Sequence, residues 1–224
     1  MSGGVAIFVK TPGLSPLKTR LAAGLGRDAA EKWYRLAARA VAASVARVPA
    51  LTAYWAVAEP SALAAGAWPG FAHLGQGEGE LGARMGRVHA ELLGRHEYAL
   101  LLGADTPQLD PARLVEAAKW LAATEPRLVM GPTRDGGFWL LGANRHPAPA
   151  DWLRSPCGRE DTAAGFRAAM ERHGAWHQLP MLTDVDVADD LEPMLAELAS
   201  LERPVPEQLR LAAWTRTILA RRHA

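Results

Sequence analysis

The chain has 224 residues and one cysteine, Cys157. A lone thiol excludes an intramolecular disulfide framework and any zinc site built from several cysteines, and it suits a reducing compartment. Neither sign of charge dominates: Lys plus Arg is 25, Asp plus Glu is 24, and the formal net charge is +1. That balance carries no signature of nucleic-acid or membrane-surface binding. No apolar run approaches the roughly 18 residues of a membrane span. Met1-Ser2-Gly3-Gly4 has no basic side chain, and the apolar run Val5 to Val9 ends at Lys10, so this is not read as an export signal. A soluble, cytoplasmic protein is expected. Repeats and low-complexity linkers are absent too, and residues 1–224 are read as one domain. Apolar residues are plentiful at 49%, enough for a core and against global disorder. The eight tryptophans either fill that core or line a pocket.

Short runs that are apolar throughout read as buried strands. They are Val5–Val9, Leu51–Val57, Tyr98–Leu102, Leu128–Met130 and Phe138–Leu141, with Trp176–Leu179 a further candidate. Between them lie helical patterns. Asp28 with Glu31 predicts a capping box. Behind it Trp33, Leu36, Ala37, Ala40, Val41, Val45 and Val48 recur at helical spacing. Gly79 to Arg95 is predicted helical. Asp110-Pro111 caps another helix, with proline where its missing N–H costs nothing. Further helices are expected at Thr162–His173, from Asp189 or Asp190 onward, and from about Pro206 to Arg222. Strands of this kind alternating with helices predict a mainly parallel sheet covered on both faces. Ligands of such sheets bind beyond the carboxyl ends of the strands.

Several motifs fail on context. Gly77-Glu-Gly79-Glu-Leu-Gly82 matches a dinucleotide fingerprint, but Glu78 and Glu80 would face the pyrophosphate. Lys18-Thr19 resembles the end of a phosphate-binding loop, yet Leu17 replaces its glycine, and Pro12 and Pro16 lack the N–H groups it uses. Ala188 and Asp189 break a calcium-loop reading of Asp184-Val-Asp186. There is no Gly-x-Ser-x-Gly, and the seven histidines lack zinc-ligand spacing.

Four segments remain. Lys10, Lys18 and Arg20 lie in or just after a proline-rich loop behind the first strand, placed to neutralise phosphate. The bland alternative is a solvated basic loop. Asp105, in Gly103-Ala-Asp105-Thr-Pro107, follows an apolar strand, where a carboxylate can hold a hard cation or merely cap a turn. Asp135-Gly136-Gly137 stands between two strands. It is either a hairpin turn or a place where backbone approaches a ligand and Asp135 accepts hydroxyl hydrogen bonds. Trp139 beside it reads as core or as a stacking wall. Asp184 and Asp186 share a face if their stretch is extended, and they repel unless a cation or base lies between them. Asp189 and Asp190 read as helix caps.

With these segments in place the chain resembles the DUF2064 family of glycosyltransferase-like proteins, within the GT-A nucleotide-diphospho-sugar transferase superfamily. The resemblance runs to about Leu191. It rests on Phe8-x-Lys10-x-Pro12 with Lys18-Thr-Arg20-Leu21, and on Gln76-x-x-Gly79-Glu80-Leu81-Gly82-x-Arg84-Met85. Gly103-x-Asp105-x-Pro107-x-Leu109, Gly131-Pro132-x-x-Asp135-Gly136-Gly137 and Asp184-Val-Asp186 complete it. Two departures are Ser15-Pro16, where a glycine is usual, and Glu80 in place of Asp. The resemblance implies a three-layer α/β/α Rossmann-like GT-A fold, with C-terminal helices from about residue 190. It implies a nucleotide at the first loop and Mg²⁺ or Mn²⁺ held by Asp105 with Asp186. Arg84, Asp135, Gly136 and Gly137 would face substrate, and Asp105 and Asp135 would be catalytic.

The expected activity is a metal-dependent transferase using a nucleotide-activated substrate, with a sugar nucleotide and a separate acceptor as its small-molecule partners. The alternatives are a nucleotidyltransferase that releases pyrophosphate from an NTP, of the guanylyltransferase kind, and a nucleotide-binding module without catalysis. Asp135 and Asp184 are the two candidates for a general base.

Overall fold

Seven residues without a charge form β1 (Gly3–Val9), and nearly all are buried. That strand lies inside a sheet, flanked in parallel by β2 (Leu51–Val57) and β4 (Tyr98–Gly103). The computed structural model describes residues 2–154 and 161–222, and Cys157 lies outside them. The other strands are β3 (Ala72–Gly75), β5 (Arg127–Pro132), β6 (Phe138–Ala143) and β7 (Ala175–Gln178). The sheet order is β3-β2-β1-β4-β6-β5-β7. Only β6 runs against its neighbours, because β5 and β6 form a hairpin across residues 133–137. The mainly parallel sheet predicted above is therefore present.

Alternation along the strands feeds two cores. Val5, Ile7 and Val9 face α2 (Arg27–Ala46), α5 (Pro111–Leu121), α8 (Leu191–Ala199) and α9 (Pro206–Arg222), packing with Trp33, Val41, Leu114 and Leu191. Ala6 faces α4 (Leu81–Leu93), α6 (Pro149–Trp152) and α7 (Thr162–Met170), with Met85, Leu92, Trp152 and Phe166. The result is a three-layer α/β/α sandwich. Short helices α1 (Thr19–Leu25) and α3 (Pro60–Ala64) sit near the carboxyl ends of β1 and β2. Gly82 and Gly86 let α4 approach α6 closely. A Cβ on Gly82 would lie 2.0 Å from the Trp152 carbonyl oxygen, and one on Gly86 2.8 Å from the indole. None of the described helices is long and apolar enough to cross a membrane.

The structure corrects local expectations. Asp28 and Glu31 do not form a capping box: α2 starts at Arg27 with Gly26 as its cap, and Glu31 pairs with Arg27 at 2.9 Å. Asp28 still sits in the first turn, where a carboxylate suits the helix dipole. Asp110 does cap α5, accepting from the Ala112 N–H at 2.9 Å. Asp190 is the residue before α8 and caps not that helix but the 3-10 turn Ala188–Asp190 that leads into it. Its Oδ2 accepts the N–H groups of Asp186 and Val187, both at 2.8 Å.

Candidate active site

The carboxyl ends of β1, β3 and β4 open onto one cavity of about 620 Å³. The loop after β1 enters first. Thr11 is buried: its N–H donates to Glu59 at 3.0 Å, and its hydroxyl accepts from the Trp68 indole at 3.1 Å. Leu14 N–H closes a turn onto the Thr11 carbonyl. The loop ends at Lys18, which caps α1 with φ +44°. Among the described residues it is the sole non-glycine with positive φ. Such a backbone costs a side-chain-bearing residue about 1–2 kcal/mol.

That backbone aims Lys18 at three carboxylates. Its Nζ lies 2.8 Å from Asp105 Oδ2, 3.8 Å from Asp184 Oδ1 and 3.9 Å from Asp186 Oδ1. The Lys18 side chain is only 8% exposed. Burial works against its charge, but the fields of Asp105 and Asp184 and the Asp105 hydrogen bond prevail, and its pKa is raised. The Asp184 carboxyl is pushed well above the usual carboxylate range, first by burial and then by Asp105, with Lys18 opposing. Arg20 donates to Asp186 Oδ2 at 2.6 Å from a largely exposed position. The cation that the Asp184-Asp186 pair requires is therefore Lys18.

Each acid has its own support. Asp105 follows β4, and the Gln208 amide fastens the segment after it, donating to the carbonyls of Pro107 and Leu109 at 2.8 and 3.0 Å. Asp184 belongs to a strap, residues 182–187, laid across the strand ends. Leu182 N–H donates to Pro132 and Arg134 N–H donates to Leu182, both at 3.1 Å. Glu197 of α8 anchors the strap, accepting from Thr183 N–H at 2.9 Å, Thr183 hydroxyl at 2.8 Å and Gln108 at 2.9 Å. Burial pushes Glu197 upward, yet these bonds and Arg134 hold its pKa below the ordinary value.

The remaining predicted residues divide. Lys10 and Arg84 line the cavity. Lys10 N–H donates to the Tyr34 hydroxyl at 3.1 Å, and Arg84 Nε donates to the Gly79 carbonyl at 2.7 Å. Asp135, Gly136 and Gly137 are not among the lining residues. Asp135 accepts from the Thr133 hydroxyl and from Gly137 N–H within its own hairpin turn. Gly136 takes φ +85° there. The field of Asp135 still reaches Asp184. Trp139 is a buried core residue whose indole donates to the Pro180 carbonyl at 3.1 Å. Sequence reasoning gave no site role to Gln76, Gln108 or Glu197. Gln76 is buried and donates to the carbonyls of Val9 and Ala56 at 3.2 and 2.8 Å, joining the ends of β1 and β2 beneath the cavity.

The family model described as "Uncharacterized protein conserved in bacteria (DUF2064)" matches residues 37–156. The chain belongs to this family. The match takes in Gln76, Arg84, Asp105 and Asp135, whereas the Lys18 loop and the Asp184 strap lie outside it. No curated protein matches the chain significantly. Among solved structures, a candidate nucleotide-diphospho-sugar transferase from Desulfovibrio desulfuricans G20 is similar over 99% of each chain, at 22% identity and TM-score 0.84. CMP:2-keto-3-deoxy-manno-octonic acid synthetase complexed with CTP is similar over 89% of this chain and 99% of its own, at 12% identity and TM-score 0.55. The 4-diphosphocytidyl-2C-methyl-D-erythritol synthase of Anaerococcus prevotii DSM 20548 has 9% identity and TM-score 0.54, over 90% and 97% of the two chains. At these identities the likeness establishes the shared α/β fold.

Proposed function

We propose that this DUF2064 protein is a metal-dependent transferase acting on a nucleotide-activated substrate, with a sugar nucleotide as donor. The observation that carries this reading is the convergence of Asp105, Asp184 and Asp186 on Lys18 at the 620 Å³ cavity beyond the strand ends, with Arg20, which does not line the cavity, bonded to Asp186 from outside it. The likeness to the Desulfovibrio protein supports the choice of donor.

The residues present fit a hard divalent cation. Carboxylate oxygens surround one point that a positive charge already occupies, and Asp184 Oδ1 is buried with no hydrogen-bond partner. Among the described residues no three acidic or histidine groups form a ready-made metal cage. Mg²⁺ needs only one or two protein carboxylates and completes its shell with water and phosphate. Asp105 and Asp186 would hold Mg²⁺ or Mn²⁺. The bound ion would offset diphosphate charge and stabilise the leaving group.

The chain's own residues have separable tasks. Lys10 and Arg20 add positive field for the phosphates. Arg84 braces the Gly79 turn at the cavity wall and offers its remaining N–H donors to substrate. Asp184 lines the cavity, whereas Asp135 is tied into its turn, so Asp184 is the better-placed acceptor for the proton of an attacking hydroxyl. Asp135, Gly136 and Gly137 shape the hairpin that carries the strap.

The second reading is nucleotidyl transfer, supported by the likeness to a CTP-bound synthetase. Product analysis separates the two: nucleoside diphosphate marks glycosyl transfer, and pyrophosphate marks nucleotidyl transfer. Metal dependence is tested by calorimetry on Asp105→Ala. Nucleotide affinity in Mn²⁺ should fall at least tenfold, and an unchanged affinity would remove Asp105 from the metal site.

A further inference from the structure

We infer that Lys18 is a built-in, displaceable cation: in the free protein its ammonium occupies the place of the divalent metal, and metal binds only when Lys18 leaves. The inference rests on the metal reading above and extends it.

Three observations carry it. The first is position. One ammonium stands within 3.9 Å of oxygens from three carboxylates that belong to two distant parts of the chain. A divalent ion held by Asp105 and Asp186 would lie within a few ångströms of that ammonium, and two cations that close repel. The second is incomplete satisfaction. An ammonium has three donors, and only the 2.8 Å contact to Asp105 is of hydrogen-bond length. Asp184 Oδ1 is left buried without a hydrogen bond. Three carboxyl groups face that one ammonium, and only Asp186 has a second cation, the exposed Arg20. A divalent ion can take several of these oxygens as ligands at once, which one lysine does not. The third is the backbone. Lys18 is held at φ +44°, where no glycine relieves the strain, at the junction of the loop and α1. Strain of this kind persists where surrounding contacts enforce it, and it collects at switching positions.

The exchange has a destination. Lys18 lines the cavity proposed to take the phosphates. Its flexible four-carbon stem lets the ammonium move without moving the helix. A polyphosphate arriving with its metal would offer the released ammonium new partners. Metal and polyphosphate then bind with positive coupling, and the free protein holds metal weakly.

The test uses the full-length protein and Mn²⁺ alone, with free Mn²⁺ read by electron paramagnetic resonance. Without nucleotide, Lys18→Met should bind Mn²⁺ at least tenfold more tightly than wild type, and Asp105→Ala should lose binding. In parallel, reductive methylation of wild type is followed by mass spectrometry. Lys18 labelling should rise several-fold as Mn²⁺ saturates, while exposed Lys10 stays constant. The labelling arm uses no variant, so it decides even if Lys18→Met does not fold. Asp105-dependent Mn²⁺ binding in wild type, with Lys18 still protected and Lys18→Met no tighter, would overturn the exchange and leave the metal reading intact. Absence of Mn²⁺ binding in every variant would overturn the exchange, and its persistence when a nucleotide is added would overturn the metal reading as well.

Discussion

Two clusters of charge are built on opposite principles. At the strand ends, three carboxylates share one buried ammonium, with Arg20 touching only Asp186. On the flank, one carboxylate is surrounded by cations. Asp151 of α6 is fully buried, and its Oδ2 accepts from Arg172 and His173, each at 2.7 Å, while Arg154 approaches Oδ1 at 3.3 Å. The His173 hydrogen bond, opposed by burial and aided by Arg172, holds the Asp151 carboxyl below the usual range. The flank cluster has more positive partners than its acid needs and reads as a staple for α6. The strand-end cluster has too few: Asp151 Oδ1 and Asp184 Oδ1 are both buried without a hydrogen bond, but an arginine stands 3.3 Å from the first, whereas the ammonium nearest the second is 3.8 Å away and shared with two other acids.

The largest expected break lies on the flank and is driven by pH. His89 of α4 is buried against Trp152, with its Nδ1 3.1 Å from Nδ1 of His146. Burial, then the nearby His146, pushes its pKa down to about 3. His146 is the titratable group that faces His89, the Ala143 backbone opposes the shift by a hydrogen bond, and His173 acts in turn on His146. Because the folded-state value lies below the unfolded value of about 6.5, the stabilising contribution is complete above pH 6.5. It is lost as the pH falls toward 3, at up to about 1.4 kcal/mol per pH unit. His89→Leu should flatten the acid limb by close to one proton in urea titrations between pH 7 and 4.5. An unchanged slope would show that His89 protonates freely in the native state.

Next in size is Asp151→Ala. Removing the acid strands two arginines and a histidine, but Arg172 and Arg154 are largely exposed and regain water. The expected cost is about 2 kcal/mol, the range of charge-assisted hydrogen bonds. Nucleotide affinity in Mn²⁺ should not change. A loss of affinity would mean that the flank communicates with the site.

The mirror experiment, Asp184→Asn, should have the opposite sign. The raised pKa of Asp184 favours folding below the ordinary carboxylate value, and that advantage fades as pH rises through the folded-state pKa. At pH 7.5 the neutral side chain should raise stability by about 1 kcal/mol while weakening Mn²⁺-dependent nucleotide binding, the usual exchange of stability for function. Destabilisation comparable to that of Asp151→Ala would make the two clusters alike.

The difference between the clusters also explains what could be read from the sequence. β1 and β4 were legible because apolar residues on both faces of a short run leave little alternative. β3 was not: its Ala-His-Leu-Gly buries one large side chain, Leu74. The apparent capping box at Asp28 misled because helix starts are fixed by backbone geometry, and Gly26 at φ +82° set the start instead. Asp105, Asp184 and Asp186 were legible as acids near strand ends. Their common partner was not, because nothing local to Lys18 reports a carboxylate more than 80 positions away. The one available signal was electrostatic: two aspartates on one extended face need a cation between them. The tryptophans were legible as apolar mass but not as partners. Trp33 and Trp139 sit in one core, Trp152 in the other, and Trp55 packs against Trp68 with ring centroids 5.1 Å apart and the planes tilted by 44°.

The smallest expected effect on stability isolates the electrostatics of the site from its structure. Arg20 is 72% exposed, although its contact with Asp186 is 2.6 Å. Exposed ion pairs are screened and entropically costly, so Arg20→Ala should shift the urea midpoint by less than the equivalent of about 0.5 kcal/mol. Its charge nevertheless stands at the mouth of an otherwise acid-rich cluster. Loss of that field should weaken nucleotide binding three- to tenfold, a change of about 1 kcal/mol. The weakening should shrink as ionic strength rises from 50 to 300 mM, because a Debye length near 10 Å at 0.1 M screens an exposed charge. Calorimetry at both salt concentrations, beside urea melts of the same protein, checks each half. If affinity falls equally at both salts, Arg20 contacts the ligand directly instead of acting through its field. If stability falls by more than 1 kcal/mol, the Arg20–Asp186 pair is a structural staple like that of Asp151, and the division between a saturated flank and an unsaturated site fails at that residue.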